Sequence, residues 1–305
     1  MKNLKVAIIV STYNGEKYIK EQIESLIKQT YKNIDIYIRD DGSKDYTGSI
    51  LENYSKKYSN IKLYKEKNIG VVESFFCCLE KAINNADYFA FCDQDDIWHK
   101  DKIERAVSKI QSVTSNKPIL YFTEFNYCDE KMKFNSTSKM NKRGYSFKNS
   151  LVECISSGNT MLFDKKMAEI ILENRTEDIC LHDWWVYMIA TSLGIIIYDS
   201  EPSLEYRRTG NNVTPGGKGF LKLQLFRIKK FLFGDYFKNV KKQIKKFKAC
   251  FYNKLSEDDK KMIDLFDIDG YSIKTTLKKV FYPSFFRQNL IDELLIRCMF
   301  LIGKI

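Results

Sequence analysis

The sequence has few of the residues on which metal-binding and disulfide-rich proteins depend. Only two histidines, His99 and His182, occur among 305 residues, so a zinc site built from histidine and cysteine is not expected. The eight cysteines show no C-x-x-C spacing, and most of them lie in apolar runs, where a thiol behaves as a small hydrophobic side chain. The sequence therefore predicts a reducing compartment and no disulfide framework.

Long apolar runs and glycine-rich loops are also missing. No apolar stretch reaches the roughly 20 residues that a membrane-spanning helix needs, and the short run at 6–10 predicts a buried strand instead of a signal peptide. We therefore expect a protein that is not integral to a membrane. A single glycine, Gly15, follows that strand without G-x-G spacing. This argues against a sugar nucleotidyltransferase, in which a glycine-rich phosphate loop is expected at this point.

Acidic residues are scarce only in the last third of the chain. The net charge is +11, yet residues 1–214 carry 30 Lys+Arg and 30 Asp+Glu. Residues 215–305 carry 20 Lys+Arg and 9 Asp+Glu, and 20 − 9 gives the whole excess of +11. The composition, 44% hydrophobic and 29% charged, excludes wholesale disorder. We therefore predict two domains, 1–214 and 215–305, with a boundary in the glycine- and proline-containing stretch near residue 214.

Strand and helix patterns alternate along the first domain. Apolar or β-rich runs at 5–10, 34–39, 61–64 and 88–92 predict strands, and the segments between them predict helices. This alternation predicts the α/β class, with a mostly parallel sheet flanked by helices. Such sheets bind ligands at the carboxyl ends of their strands. Polar clusters follow three of the predicted strands, at residues 11–14, 40–43 and 93–96.

The third polar cluster is acidic. Alternate residues after a strand point the same way, so Asp93 and Asp95 are expected to converge. Crowded carboxylates repel one another, and a bound divalent cation usually offsets this repulsion. Mg²⁺ or Mn²⁺ is the expected ion, with phosphate oxygens completing its coordination shell. The alternative is a solvated acidic loop in which Asp96 or Asp101 caps the following helix.

Four ordered segments carry a resemblance to a known family. Residues 10–14 (VSTYN), 39–43 (RDDGS), 68–70 (NIG) and 92–98 (CDQDDIW) resemble the signatures of family 2 glycosyltransferases with the GT-A fold, over about residues 5–212. The basic residues 215–305 are expected to form a C-terminal helical extension. The resemblance implies that the domain before it is a Rossmann-like GT-A domain. It also implies that Asp93 and Asp95 hold the metal, with Asp95 the favoured ligand. The nucleotide-sugar contacts that it implies come from Thr12, Tyr13, Asn14, Asp40, Asp41, Asp93 and Gln94.

Two further segments extend the resemblance to the acceptor side. Residues 181–185 (LHDWW) are similar to a motif whose aspartate is the general base, which implies that Asp183 takes the acceptor's proton in a single inverting displacement. The alternative places Asp183 at a helix N-cap and both tryptophans in packing, and His182 is expected to be structural. The acceptor-side residues that the resemblance implies are Gly158, Asn159, Thr160, Trp184 and Trp185.

The segment 206–212 (YRRTGNN) resembles an element of rhamnosyltransferase-like members, with Thr209 where those have histidine. Arg207 or Arg208 is then a candidate for bidentate pairing with a diphosphate. The alternative, given equal weight, is that both arginines are ordinary charged residues of the surface. This subgroup implies a bacterial, polysaccharide-building enzyme. Its expected donor is a dTDP- or UDP-sugar, with rhamnose favoured, and its acceptor is a glycan or a polyprenyl-linked glycan.

Residues 218–252 interleave lysines with apolar residues. Basic amphipathic helices of this kind predict contact with an anionic membrane, so we expect a peripheral protein at the cytoplasmic face of the plasma membrane. A helical subdomain with solvated basic faces is the alternative, and nucleic acid is not expected as a partner because no recognised motif accompanies the charge. A non-catalytic protein on a transferase scaffold would have lost Asp95 or Asp183, and both are present. The two apolar stripes are Leu221, Leu225, Ile228 and Leu232, and then Val240, Ile244, Phe247 and Phe251.

Overall fold

The computed structural model describes residues 4–209, 234–266 and 272–305. The chain divides into two compact units. Unit 1 comprises Met1–Ser138, Ser156–Arg175 and Gly194–Arg208, and unit 2 comprises Lys139–Ile155, Thr176–Leu193 and Thr209–Ile305. This division differs from the predicted 1–214 and 215–305, because the internal segments Lys139–Ile155 and Thr176–Leu193 are grouped with the C-terminal region. The predicted boundary near residue 214 lies outside the described residues.

Unit 1 is built on a seven-stranded sheet in the order β10-β6-β9-β4-β1-β2-β3. Every neighbouring pair is parallel except those of β9, which runs antiparallel to both β4 and β6. The predicted α/β class with a mostly parallel sheet is confirmed. Its strands, numbered in chain order, are β1 (Val6–Thr12), β2 (Ile34–Asp40), β3 (Ile61–Lys65), β4 (Tyr88–Cys92), β6 (Ile119–Thr123), β9 (Leu162–Asp164) and β10 (Ile195–Asp199).

The central strands of this sheet are buried on both faces. Val6 to Val10 of β1 have no exposed surface, which explains why the strand reads as an unbroken apolar run and not as an alternation. Helices connect the strands and cover the sheet, as expected for parallel crossovers. They are α1 (Ile19–Ile27), α2 (Thr47–Lys57), α3 (Val71–Ala82), α4 (Lys102–Gln111) and α6 (Lys165–Glu173).

A second sheet of four short strands completes unit 1. Its order is β5-β11-β7-β8, with β11 parallel to β7 and the other pairs antiparallel. The sequence did not predict these strands, because runs of two to four residues are too short to show a period. They are β5 (Ile97–Trp98), β7 (Asn126–Cys128), β8 (Phe134–Thr137) and β11 (Leu204–Arg207).

Unit 2 is helical. In α8 the apolar stripe predicted to meet lipid is buried instead: Phe247 packs against Phe147 and Trp185, and Phe251 against Trp185. The lysines of this helix thus lie on the face opposite its buried apolar stripe. The alternative interpretation, a helical subdomain, therefore describes α8 correctly. The helices are α5 (Phe147–Ser150), α7 (His182–Leu193), α8 (Tyr236–Phe251), α9 (Glu257–Phe266), α10 (Ile273–Val280) and α11 (Leu290–Leu301).

The other predicted stripe, at residues 221–232, lies outside the described residues. Within the ranges that the structure describes, no helix combines the length and the apolar character that crossing a bilayer requires.

Candidate active site

The three polar clusters lie side by side at one edge of the large sheet. Strand β1 has β4 on one side and β2 on the other, and Val10 is in register with Cys92 of β4 and Ile38 of β2. All three strands are parallel, so their carboxyl ends reach the same edge. The loops that follow them begin at neighbouring points. The predicted convergence of residues 11–14, 40–43 and 93–96 therefore follows from the strand order.

Gln94 ties the acidic loop to the loop after β1. Its side-chain Oε1 accepts hydrogen bonds from Thr12 Oγ1 and Tyr13 N, both at 2.9 Å, and its Nε2 donates to Tyr13 O at 3.2 Å. The two segments approach so closely that a Cβ built on Gly15 would lie 2.4 Å from Gln94 Oε1. Thr12 is buried, whereas Tyr13 is 43% exposed. The ring of Tyr13 is therefore accessible from solvent.

Asn14 ties the same loop to the loop after β2. Its φ of 48° lies in the left-handed region, which asparagine tolerates better than most residues. In this conformation Asn14 N donates to Ser43 Oγ and Lys44 N donates to Asn14 Oδ1, both at 2.9 Å. Asn14 and Gln94 thus join three loops that are far apart in sequence. The structure assigns both side chains to the frame of the site.

The two aspartates after β2 have different surroundings. Asp41 accepts from Ile69 N at 2.9 Å and Gly70 N at 3.0 Å, and its carboxylate pairs with the buried Arg39. Asp40, also buried, accepts from Ser43 N at 3.1 Å. Asp41 therefore fixes the 68–70 turn against the sheet, which is a structural role that the resemblance did not imply.

Arg39 was not singled out from the sequence. Its guanidinium is 1% exposed, and besides Asp41 it contacts Glu66 at 3.2 Å, Lys67 O at 2.8 Å and Ser74 Oγ at 3.2 Å. These partners come from the loop after β2, from the segment after β3 and from α3. In a sequence, an arginine at the end of a strand predicts a surface residue. Arg39 is buried because α3 packs over it.

The acidic loop holds two half-buried carboxylates and one that is fully buried. Asp93 and Asp95 are half-buried, whereas Asp96 has no exposed surface. Burial raises the pKa of Asp96, and the charges of Asp95 and Asp93 raise it further. Burial also raises the pKa of Asp95, against the opposing charge of Arg207. The loop therefore concentrates negative charge in a place that is poorly solvated.

Asp96 is not the helix cap that the sequence offered as an alternative. Its Oδ2 accepts from Asn159 Nδ2 at 2.5 Å and its Oδ1 from Arg207 N at 3.2 Å. Asp101 precedes α4 but makes no side-chain capping hydrogen bond. The capping interpretation is therefore wrong for both residues. Asp96 instead bonds to the 158–160 turn and to β11, and the side chain of Asp101 bonds to no N–H group of α4.

The 158–160 turn belongs to the same network. Gly158, Asn159 and Thr160 are all buried in a single 3-10 turn, and Thr160 Oγ1 donates to Ser157 O at 2.7 Å. The side-chain nitrogen of Asn159 donates to Asp96, so this turn supports the acidic loop through Asn159. The acceptor-side role of the three residues stays a prediction.

Lys102 is a functional candidate that the sequence did not reveal. Its ammonium is buried, donates to Asn159 O at 2.8 Å and Ser203 Oγ at 3.0 Å, and lies 4.5 Å from the centre of the Trp98 ring. Burial lowers the pKa of Lys102 to about 7. A lysine in the first turn of a helix normally predicts a solvated side chain. The local sequence pattern therefore did not indicate that Lys102 is buried.

Arg207 holds the backbone of the acidic loop. It is 3% exposed, and its guanidinium donates to Asp95 O at 2.9 Å and Glu130 O at 2.7 Å and pairs with Glu21. The surface-charge alternative is therefore wrong for Arg207, and its predicted pairing with a diphosphate would have to compete with these partners. Arg208 stacks on the Tyr127 ring at 3.8 Å.

The predicted base and its neighbours belong to unit 2. Asp183 is half-buried in the first turn of α7, where a negative charge is favoured by the helix dipole, and its Oδ1 accepts from Trp184 N at 2.7 Å. Trp184 Nε1 donates to Ser150 O at 2.6 Å, and Trp185 is enclosed by Phe247 and Phe251. Both indoles are buried, as the packing alternative expects, and their acceptor-side role stays a prediction.

His182 is buried as well, and burial lowers its pKa. This agrees with the structural role expected for it.

The chemistry of the acidic loop fits a hard divalent cation. The described residues contain no cluster of three or more histidine, cysteine or carboxylate side chains that could hold a metal by themselves. Two half-buried carboxylates, Asp93 and Asp95, do fit an ion of the Mg²⁺ type, which takes its remaining oxygens from phosphates. The repulsion that raises the pKa of Asp96 is what such a cation would relieve.

Solved structures share this architecture. Staphylococcus aureus TarS 1-349 in complex with UDP-GlcNAc superposes with a TM-score of 0.57 at 18% identity, covering 85% of this chain and 78% of that one. The mannosyltransferase PcManGT of Pyrobaculum calidifontis, in complex with GDP-Man and Mn²⁺, gives a TM-score of 0.51 at 14% identity, covering 98% and 80%. These likenesses show that the chain has the GT-A fold.

Sequence comparison identifies the family. The profile described as Glycosyl transferase family 2 matches residues 7–171. The chain is 33% identical over 214 residues to the dTDP-rhamnosyl transferase RfbG of Shigella flexneri, covering 67% of this chain and 72% of that protein. It is 35% identical over 126 residues to the uncharacterized glycosyltransferase RP339 of Rickettsia prowazekii, of which it spans 38%. The chain belongs to glycosyl transferase family 2.

Proposed function

We propose that the protein is an inverting glycosyltransferase that moves a sugar from a nucleoside diphosphate donor to a hydroxyl of a cell-surface or lipid-linked glycan. The observation that carries this proposal is the sheet edge where Asn14 and Gln94 join three loops around the half-buried Asp93 and Asp95. An edge framed in this way presents fixed polar groups to a ligand, which lowers the cost of ordering them on binding.

The donor part of the site is assigned to unit 1. The exposed ring of Tyr13 and the buried Thr12 and Asp40 are the proposed base contacts. Asp93 and Asp95 would hold Mg²⁺ or Mn²⁺, which when bound offsets the charge of the departing diphosphate. Arg207 is a positioning residue, because its guanidinium holds the carbonyl of Asp95.

The proposed base is Asp183. In the reaction, the acceptor oxygen forms a bond to the anomeric carbon, the bond from that carbon to the diphosphate oxygen breaks, and the hydroxyl proton passes to a carboxylate. Asp183 is supported by the likeness of residues 181–185 to the family's acceptor-side motif and by its half-buried place in the first turn of α7. The donor nucleoside is proposed as dTDP, with rhamnose favoured, on the likeness to the Shigella protein, and UDP is the alternative.

A peripheral position at the inner face of the plasma membrane is part of the proposal. A polyprenyl-linked acceptor is confined to the bilayer surface, so an enzyme that also binds that surface meets its acceptor more often.

Nucleotide binding tests the donor site. We expect dTDP or UDP compounds to raise the thermal unfolding temperature of the purified chain, more strongly with Mn²⁺ than with a chelator. The absence of a shift with every nucleoside diphosphate, in a folded sample, would refute the donor assignment.

The base assignment has its own test. We expect Asp183→Asn to keep donor binding and to lower turnover by about 10²–10⁴-fold, because it removes only proton transfer. Asp178→Asn, an exposed carboxylate before the same helix, is the matched control and should leave turnover unchanged. Unaltered turnover by Asp183→Asn would overturn the assignment.

A further inference from the structure

Helix α11 buries its acidic side chains and exposes leucines, which is the reverse of the usual arrangement. Its carboxylates Asp292 and Glu293 are 3% and 1% exposed, while Leu290, Leu294 and Leu301 are 54%, 57% and 50% exposed. Leucines spaced by four and seven residues lie on one face of a helix. The exposed residues between 290 and 302 are all apolar or cysteine: Leu290, Ile291, Leu294, Cys298, Leu301 and Ile302.

Buried hydrogen bonds fix this orientation. Glu293 Oε2 accepts from Phe286 N and Arg287 N, both at 2.8 Å, and its Oε1 accepts from Arg297 Nε at 2.7 Å. Rotating the helix to bury its leucines would strip a buried carboxylate of three donors, which is strongly unfavourable. The apolar face is therefore held outward by the packing of the helix itself.

The preceding helix also exposes apolar side chains. Ile273, Leu277 and Phe281, spaced by four residues along and just after α10, are 67%, 46% and 76% exposed. Nine of the fifteen exposed large hydrophobic side chains in the described part of the chain fall within residues 273–302. Exposed apolar groups in this number mark an interaction site more often than chance. The nine form what is here named the C-terminal apolar surface: Ile273, Leu277, Phe281, Phe285, Leu290, Ile291, Leu294, Leu301 and Ile302.

Cations lie at both ends of α11. Near its start, the Arg143 guanidinium is 3.8 Å from the centre of the Phe285 ring, and Lys142 Nζ donates to Asn289 Oδ1 at 2.8 Å. Near its end, Lys241 Nζ donates to Gly303 O at 3.3 Å. Burial lowers the pKa of Lys241, and the nearby charges of Lys245 and Lys304 lower it further.

Exposed lysines also occur within the C-terminal segment itself. Of the six Lys and Arg in residues 272–305, Lys274, Lys278 and Lys304 are exposed, whereas Lys279 is buried and Arg287 and Arg297 pair with Glu153 and Glu293. The C-terminal apolar surface is thus flanked by positive charge within its own segment and from α8.

We infer that the C-terminal apolar surface docks on an anionic lipid bilayer, with its leucine, isoleucine and phenylalanine side chains among the acyl chains and the flanking lysines and arginines on the headgroup phosphates. A bilayer offers both an apolar interior and surface anions, which match this pairing. A second copy fits less well, because cations lie at both ends of α11 and a two-fold contact on this surface would bring positive charges of one copy towards those of the other. The inference rests on the membrane position in the proposed function and moves it from residues 218–252 to α10 and α11.

Vesicle co-sedimentation of the whole chain tests this surface. We expect binding to phosphatidylcholine vesicles that contain phosphatidylglycerol, weaker binding to phosphatidylcholine alone, and weakening by salt. The variant Leu290→Gln/Leu294→Gln/Leu301→Gln should lower the partition coefficient at least about tenfold, since three inserting side chains are removed. Phe134→Gln, which changes a residue of unit 1 that is 56% exposed, is the control and should bind like the parent.

A second variant separates the charges from the apolar groups. Lys241→Gln/Lys245→Gln/Lys304→Gln should remove most of the preference for phosphatidylglycerol. Undiminished binding by the leucine variant would overturn the assignment of the surface while leaving the membrane position standing. Failure of the parent chain to bind anionic vesicles would overturn both, and a parent dimer that the leucine variant dissociates would identify a second copy as the occupant. Nucleotide-induced thermal shifts in the same samples report on the donor site independently.

Discussion

Two acidic loops leave the same edge of the large sheet, and they neutralise their carboxylates in different ways. In the loop after β2, the buried Asp41 is paired with the buried Arg39 and with two backbone amides. In the loop after β4, the buried Asp96 receives only an amide from Asn159 and the backbone N–H of Arg207. The charges of Asp93 and Asp95 raise its pKa further.

The difference separates scaffold from site. A loop with internal charge balance needs no ligand and stabilises the fold, whereas a loop with excess negative charge gains from a cation that arrives with the substrate. Sequence alone shows two similar acidic strings, Asp40-Asp41 and Asp95-Asp96. The buried Arg39 beside Asp41 is the clearest difference between them in the structure.

Removing Arg39 tests the balanced loop and has the largest expected effect. Arg39→Met should lower the free energy of unfolding by roughly 3–5 kcal/mol, because it leaves Asp41 buried without its countercharge. Urea-induced unfolding measures the change. Arg208→Met, which removes an arginine stacked on Tyr127, is the control and should cost much less. A loss for Arg39→Met no larger than for the control would show that Asp41 is not charge-balanced by Arg39.

Removing Asp95 tests the unbalanced loop. Asp95→Asn should lower the transfer rate by roughly 10²–10³-fold, the cost typical of losing one electrostatic contact to the developing charge. Its free energy of unfolding should stay level or rise, because the mutation relieves repulsion on Asp96. Initial-rate kinetics with Mn²⁺ and urea unfolding are the two measurements. Asp101→Asn, an exposed residue just after the same loop, should keep full activity, and equal activity of the two variants would contradict the metal assignment.

The sequence predicted the frame of this edge better than its interior. Apolar runs followed at once by polar residues mark strand ends, and the parallel order then brings residues 12–14, 40–41 and 93–95 together. Contacts such as Lys102 with Asn159, or Asn159 with Asp96, join residues about sixty apart and depend on packing that no local pattern encodes. The burial of Glu293 in helix α11 likewise depends on donors that no local pattern reveals.

Lys102 supplies a test by pH. Burial sets its pKa at about 7, below its ordinary value of 10.5, so between these values the unfolded chain binds a proton that the folded chain does not. Stability therefore rises with pH in this window, by about 1 kcal/mol between roughly pH 7 and pH 8. Lys102→Met should lack this rise when its urea unfolding is compared with the parent at both pH values. Lys100→Met, which removes an exposed lysine, should retain it, and an identical pH dependence in all three proteins would exclude a buried, titrating Lys102.

The smallest expected effect concerns the contact that joins the first and third loops. A Cβ on Gly15 would meet the Gln94 amide at 2.4 Å, which is the movable end of a side chain and not backbone. Gly15→Ala should therefore cost about 1 kcal/mol or less, because Gln94 can swing away, but it should weaken nucleotide binding several-fold as Gln94 leaves Thr12 and Tyr13.

A double-mutant cycle with Gln94→Ala isolates this contact. If Gly15→Ala acts only by displacing Gln94, the second mutation should add almost nothing to the loss of nucleotide affinity measured by calorimetry, and the coupling energy should equal most of the single effect. Additive losses would mean that Gly15 matters to the ligand directly, through close approach of its backbone. The loop after β1 would then be part of the binding surface itself, and not only its frame.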